Sequence, residues 1–267
     1  MGSDQLWKPD SISHGYYTLD FVPDNVFKAS YATSFGIKEM PKYQVKKCGA
    51  FLKRFDFLST REVSGKEIIK NTSGKDAVVV ADPTLMLTSN DWDAIQPKER
   101  IIKEKYIFCY FLGKASWHRE FAKKIKDITG YKIVSILHTD EYVKEDNKFA
   151  DFSPYDVNPG DFLNLIKNAE YVCTDSFHCS VFSVIFKKLF FTFNRFDASK
   201  KQSTNTRIDS LLGILKLEDR RVLSPDYDLN VLMNKLINYE QVDESLSSLC
   251  ESSKIYLDQL ISKIKEV

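Results

Sequence analysis

The sequence contains no run of ~18 apolar residues, the length a membrane-spanning helix needs, and no charged-then-apolar segment at its start. Neither a membrane span nor a secretory leader is expected. Its five cysteines, Cys48, Cys109, Cys173, Cys179 and Cys250, show no CxxC spacing, so a metal site is not expected. Cys109 and Cys173 stand in apolar runs and read as small core residues, and a reduced, cytoplasmic compartment is the simplest setting. Charge of one sign is lacking too. The 38 Lys and Arg against 37 Asp and Glu leave a net charge of +1. That gives no electrostatic case for nucleic acid or for an acidic membrane surface. There is no internal repeat and no low-complexity segment.

What is present is a chain of 267 residues, 43% of them hydrophobic, long enough to bury a sizeable core in one large or two small domains. Strand-like runs alternate with helical stripes. Residues 26–32, 57–61 and 76–80 read as strands, and 43–52 and 62–70 as helices. Residues 87–100, with Asn90 or Asp91 as a helix cap and Pro97 as a breaker, read as a connection. A second series begins at Lys105, with strands over 106–112, 132–137 and 188–193. Its helices include one capped by Ser116 and stopped by Gly130, one over 162–168, and outer helices at 229–237 and 246–264. This alternation argues the α/β class, a parallel sheet with helices on both faces.

The most informative stretch is Tyr171-Val172-Cys173-Thr174-Asp175-Ser176-Phe177-His178-Cys179. Tyr171, Val172 and Cys173 end a strand, Asp175 or Ser176 can cap a helix, and Phe177, Val181, Val184 and Ile185 supply its apolar stripe. Thr174, Asp175, Ser176 and His178 therefore stand at the carboxyl end of a strand and at a helix N-terminus. Ligands gather there in open α/β sheets, and anions are favoured. A plain capped helix with a histidine in its first turn is the structural alternative. His14, His118 and His138 have no partners at catalytic spacing and read as structural or solvent-facing.

Four further blocks keep this one company: Gly2-Ser3-Asp4-Gln5-Leu6-Trp7, Ser30-Tyr31-Ala32-Thr33-Ser34-Phe35-Gly36, Ser59-Thr60-Arg61-Glu62 and Asp82-Pro83-Thr84-Leu85-Met86. With Thr174-Asp175-Ser176-Phe177-His178, and in this order, they resemble the polysaccharide pyruvyl transferase family, which reads GSDQxW, SYAxSFG, SxRE, DPTxLL and TDSxHG. The match extends through Thr206-Arg207-Ile208. Cys179 stands where the family usually has glycine, and its side chain is expected to narrow any ligand space the glycine leaves. Family members usually carry a strand and a glycine-containing loop ahead of the GSDQ block. This chain opens on the block itself, so a shortened first lobe is expected.

The resemblance implies two Rossmann-like lobes in a GT-B-like arrangement. Residues 1–88 would form a partial N-terminal lobe on the acceptor side, 89–104 the connection, 105–245 the donor lobe, and 246–267 a C-terminal helix. It implies transfer of pyruvate from phosphoenolpyruvate to a sugar of a cell-surface polysaccharide or its lipid-linked precursor, forming a cyclic ketal. That chemistry calls for no metal or organic cofactor; phosphoenolpyruvate is the donor substrate and a glycan or lipid-linked oligosaccharide the acceptor. The setting is cytoplasmic, with peripheral attachment at the inner face of the membrane and self-association left open.

By the same resemblance His178 is the general acid/base or a phosphate contact. Asp175 orients it or caps the helix, and Ser176 and Thr174 donate to phosphate or only to the turn. Arg207 and Arg61 suit anion contacts, Arg61 having a structural pair with Glu62 or Asp82 as its alternative. Asp4 and Gln5 would bind sugar beside Trp7, itself a candidate for stacking. Two other readings stay open: a nucleotide-sugar-dependent GT-B glycosyltransferase, and a non-catalytic remnant of the family.

Overall fold

The computed structural model describes residues 6–195 and 205–266. The chain divides into two units, one of residues 6–86, 205–216 and 240–266 and the other of residues 87–195 and 217–239.

The first unit begins with a helical turn, α1 (Pro9–Ile12), followed by α2 (Lys42–Lys53), β1 (Ser59–Thr60), α3 (Val63–Ser73) and β2 (Val78–Val79). β1 and β2 pair in parallel, Ser59 opposite Val78. Cys48, Phe51 and Leu52 of α2 meet Ile68 and Ile69 of α3 in one apolar cluster with Trp7 and Phe35. The two helices approach closely because residue 49 is glycine: a Cβ there would stand 2.2 Å from the Thr72 carbonyl oxygen. The strand expected over 26–32 does not form. Ala29 and Thr33 make only single bridges, to Phe57 and Thr60. Side chains take over the backbone partners here. Lys28 Nζ donates to the carbonyls of Pro23 (2.6 Å) and Val26 (2.8 Å). Ser30 Oγ accepts from the Ser59 N–H (3.0 Å), and Ala32 turns to a φ of +51°.

The second unit opens with α4 (Ser89–Asp93), capped by Thr88 in a reciprocal box with Asp91, so neither Asn90 nor Asp91 is the cap. Then follow β3 (Tyr106–Tyr110), α5 (Ser116–Thr129), β4 (Lys132–Ser135), α6 (Pro159–Lys167), β5 (Tyr171–Thr174), α7 (Phe177–Ile185) and β6 (Leu189–Phe193). α5 stops where Gly130 takes a φ of +72°, as its position predicts. Its N-cap is Ala115 with no side-chain bond, so Ser116 starts the helix without capping it. α6 begins earlier than expected, because Asn158 and Asp161 form a second capping box ahead of it.

The chain returns to the first unit with α8 (Thr206–Leu215), adds β7 (Arg221–Val222) and α9 (Leu229–Asn234) to the second, and ends in α10 (Tyr239–Glu266). Sequence order assigned α8 to the second lobe and set the last helix apart, and the packing corrects both. Ser210 Oγ of α8 accepts the Val63 N–H at the start of α3 (3.1 Å). Ser253 of α10 accepts the Ala81 N–H (2.8 Å), and the Tyr256 hydroxyl donates to the Ser30 carbonyl (2.6 Å). These bonds span 147 to 226 residues of sequence, which periodicity cannot register.

The second unit's sheet has the order β4-β3-β5-β6-β7, all parallel. Ile107, Cys109, Phe121, Cys173, Phe191 and Phe193 are buried at its centre. Each fully buried large apolar side chain contributes roughly 1.5–3 kcal/mol. β3 comes first in the sequence but lies inside the sheet, with β4 on one side and β5 on the other. Right-handed crossovers then place the connecting helices on opposite faces, and a crevice opens where the winding reverses, beyond the carboxyl ends of β3 and β5. Among the described residues no helix is long and apolar enough to cross a membrane.

Candidate active site

The crevice is fastened by the residues that follow β5. Thr174 Oγ1 donates to the Tyr110 carbonyl at the end of β3 (2.6 Å) and accepts the Ser176 N–H (3.0 Å). Asp175 Oδ1 accepts the Leu112 N–H (2.7 Å) and its Oδ2 the Gly113 N–H (2.9 Å). The two strand ends are thus clipped together across the switch point. Residue 113 has to be small, because a Cβ would lie 2.8 Å from Asp175 Oδ2. Burial pushes the Asp175 carboxyl above the usual carboxylate range, against the two N–H donors and the positive charges of Arg195 and Arg119.

Beyond this clip, Ser176 caps α7 by accepting the Cys179 N–H (3.4 Å), and His178 follows in the first turn. Both line a pocket of about 520 Å³. Trp92, Tyr110, Phe162 and Phe182 supply rings to its wall. The lining includes no Lys or Arg. The pocket therefore joins an apolar, aromatic wall to one polar edge, made of a hydroxyl, an imidazole and a helix N-terminus.

A second polar cluster lies in the first unit. Glu62 is fully buried, and its Oε1 accepts the Ser34 hydroxyl (2.8 Å) and the Gly36 N–H (2.7 Å). Burial raises its pKa, opposed by Arg61, by those two donors and by Arg207. Arg61 Nη1 pairs with Asp82 Oδ2 (2.6 Å), while its Nε lies 3.8 Å from Glu62 Oε2. Asp82 Oδ1 in turn accepts the Thr84 N–H (3.0 Å) and hydroxyl (2.7 Å). Four separate stretches of sequence converge on these charges.

The profile of the polysaccharide pyruvyl transferase family matches residues 2–195. The chain belongs to that family. No curated protein matches it. Among solved structures, a Listeria monocytogenes protein assigned as a UDP-N-acetylglucosamine 2-epimerase is similar over 96% of this chain and 72% of its own, with a TM-score of 0.59 and 12% identity. The Neisseria meningitidis UDP-GlcNAc 2-epimerase covers 95% of this chain and 81% of its own, with a TM-score of 0.49 and 12% identity. The first of these shows the fold, which is α/β with parallel sheets and GT-B-like.

The family blocks now have structural meanings. SYAxSFG, SxRE and DPTxLL meet at the Glu62–Arg61–Asp82 cluster, with Arg207 beside it. Arg61, fully buried on Asp82, takes the structural alternative. Of the four residues expected around His178, the structure aims two elsewhere. Asp175 neither caps α7 nor faces the imidazole, since both its oxygens are turned to Leu112 and Gly113. Thr174 gives its hydroxyl proton to Tyr110. Ser176 and His178 remain together at the pocket edge. Arg61 and Arg207 belong to the other unit.

Cys179 is fully buried and does not line the pocket, so it narrows nothing; burial pushes its thiol up to about 12. Trp7 is 1% exposed among Phe35, Phe51 and Phe55, which makes it a core residue and rules out sugar stacking. Asp4 and Gln5 lie outside the described residues.

Two histidines have partners that spacing did not reveal. His138 Nδ1 lies 2.8 Å from Asp146, which is also paired with Arg119. His118 is fully buried behind Asp175, stacked on Phe193 and edge-on to Trp117, with Nδ1 3.8 Å from Asp175 Oδ2. That is too long for a hydrogen bond, and burial together with Arg119 lowers its pKa to about 3.

Proposed function

We propose that this family member transfers pyruvate from phosphoenolpyruvate to two hydroxyls of one sugar of a cell-surface polysaccharide or its lipid-linked precursor, forming a cyclic ketal in the cytoplasm. The observation that carries this reading is the meeting of Ser176 and His178 at one pocket edge, at the N-terminus of α7 and the switch point of the sheet. A donor with a carboxylate and a phosphate suits that edge.

The donor's methylene carbon takes a proton, and a sugar hydroxyl adds to the carbon bearing the phosphate. The carbon–oxygen bond to phosphate then breaks, phosphate leaving with the electron pair, and the second hydroxyl closes the ring. One hydroxyl proton is balanced by the new methyl group and the other by the phosphate released. His178 is assigned the proton transfers. Ser176 and the first N–H groups of α7 are assigned the phosphate oxygens, and Arg207 an anion contact from the first unit. Asp175 is assigned to hold the crevice walls. No resident cofactor takes part in this scheme.

Calorimetric titration of phosphoenolpyruvate into the intact protein tests the reading. Saturable binding is expected, weakened by Arg207→Ala and lost in His178→Ala. A folded wild-type protein that ignores phosphoenolpyruvate, or that binds a nucleotide sugar in its place, would refute it.

A further inference from the structure

The reaction proposed above handles a donor that carries permanent negative charge at both ends, yet the pocket lining holds neither Lys nor Arg. A cation has to come from the rim. In the second unit the basic residues that follow the sheet's carboxyl ends differ in their commitments. Arg119 is buried, bonded to Asp146 through Nε (2.9 Å) and Nη2 (2.5 Å) and to the carbonyls of Gly113 and Ala115. Lys114 reaches away to Glu141 (2.5 Å) in an exposed pair.

Arg195 is placed differently. It follows the carboxyl end of β6 by two residues and is exposed. Its chain lies over Gly113: a Cβ on that glycine would meet Arg195 Cγ at 3.5 Å and its carbonyl oxygen at 3.4 Å. Gly113 follows Leu112, which lines the pocket. The charge of Arg195 is felt both at Asp175, beneath the crevice, and at the hydroxyl of Tyr110, on the pocket wall. β6 is the neighbour of β5, so this charge stands one strand over from Ser176.

We infer that Arg195 is the anion-binding residue of the second unit, holding the carboxylate or phosphate of the donor across the crevice from Ser176 and His178. The inference rests on the pyruvyl-transfer reading. A guanidinium suits the task because its planar fork matches either oxyanion and stays charged throughout. Nothing in the sequence marks it: Asn194-Arg195 falls between two of the family blocks.

The test is calorimetry with phosphoenolpyruvate on the intact protein and on Arg195→Ala and Arg195→Lys, with hydrogen exchange at the Leu112 and Gly113 amides measured alongside. Arg195→Ala is expected to weaken binding roughly 10- to 100-fold, the worth of a charge-assisted contact. Arg195→Lys should fall between, and both amides should keep their protection. Wild-type affinity in Arg195→Ala would overturn the inference and leave the functional reading intact. Weakened binding with both amides deprotected would overturn it as well, because Arg195 would then act by stabilising Asp175. A folded wild-type protein that does not bind phosphoenolpyruvate would remove the functional reading first.

Discussion

The buried imidazole of His118 should set the acid limit of the second unit. Its ring has no hydrogen-bond partner at either nitrogen among the described residues, and it is stacked on Phe193 with ring centroids 4.5 Å apart. Burial and Arg119 hold its pKa at about 3 in the folded protein, against 6.5 for an exposed histidine. In acid the unfolded chain therefore takes up the proton first. Stability from this residue is fully present above about pH 6.5 and is lost as pH falls toward about 3, at roughly 1.4 kcal/mol per pH unit. Between about pH 7.5 and about pH 5 the loss comes to about 2 kcal/mol, or on the order of 4–8 °C in melting temperature. His118→Phe keeps a ring among Phe111, Trp117 and Phe193 and removes the titration. Thermal melts of both proteins across that range should therefore diverge, the wild type falling more steeply whatever the variant's absolute stability. Parallel curves would mean that His118 reaches a proton acceptor in the folded state, and the reasoning would fail.

Asp82→Asn should destabilise the first unit by roughly 3–5 kcal/mol, because it leaves the buried Arg61 guanidinium opposite a neutral amide; chemical denaturation measures it, and a loss below about 1 kcal/mol would count against a buried pair. Gly113→Ala should displace the Asp175 carboxylate, cost about 1–3 kcal/mol and weaken phosphoenolpyruvate binding by loosening the crevice. A variant matching the wild type in melting temperature and titration would rule that clip out. Ser253→Ala combined with Tyr256→Phe removes two bonds that dock α10, at about 1 kcal/mol each. Limited proteolysis should then cut within α10 sooner than in the wild type, and an unchanged cleavage pattern would show that apolar packing alone holds the helix.

Much of the second unit was legible because its strands are continuous apolar runs and its helices end on plain signals. Tyr106–Tyr110, Leu189–Phe193 and the stop at Gly130 needed only local information. The turn after β5 was legible as a strand–turn–helix corner, and Ser176 and His178 were rightly grouped. The direction of Asp175 was not, because its partners are two backbone N–H groups some 60 residues away, and a backbone donor leaves no trace in composition. The same holds for His118, whose spacing from Asp175 means nothing until β3 and β5 are adjacent. Residues 26–32 had a strand's pattern but lost the ladder to the bonds of Lys28 and Ser30. β7 is two residues long and gives periodicity nothing to count.

The path of the chain between its two units bears on how the protein is made. The chain changes unit at residues 86–87, 195–205, 216–217 and 239–240. A ribosome therefore completes the five-stranded sheet's last strand while the bonds from Ser253 to Ala81 and from Tyr256 to Ser30 still wait for residues not yet synthesised. The part of the protein that emerges first is the part that closes last. Until α10 arrives, the Ala81 N–H and the Ser30 carbonyl lack their native partners. A stop codon in the final thirty or so codons would strike the N-terminal unit, at the opposite end of the gene.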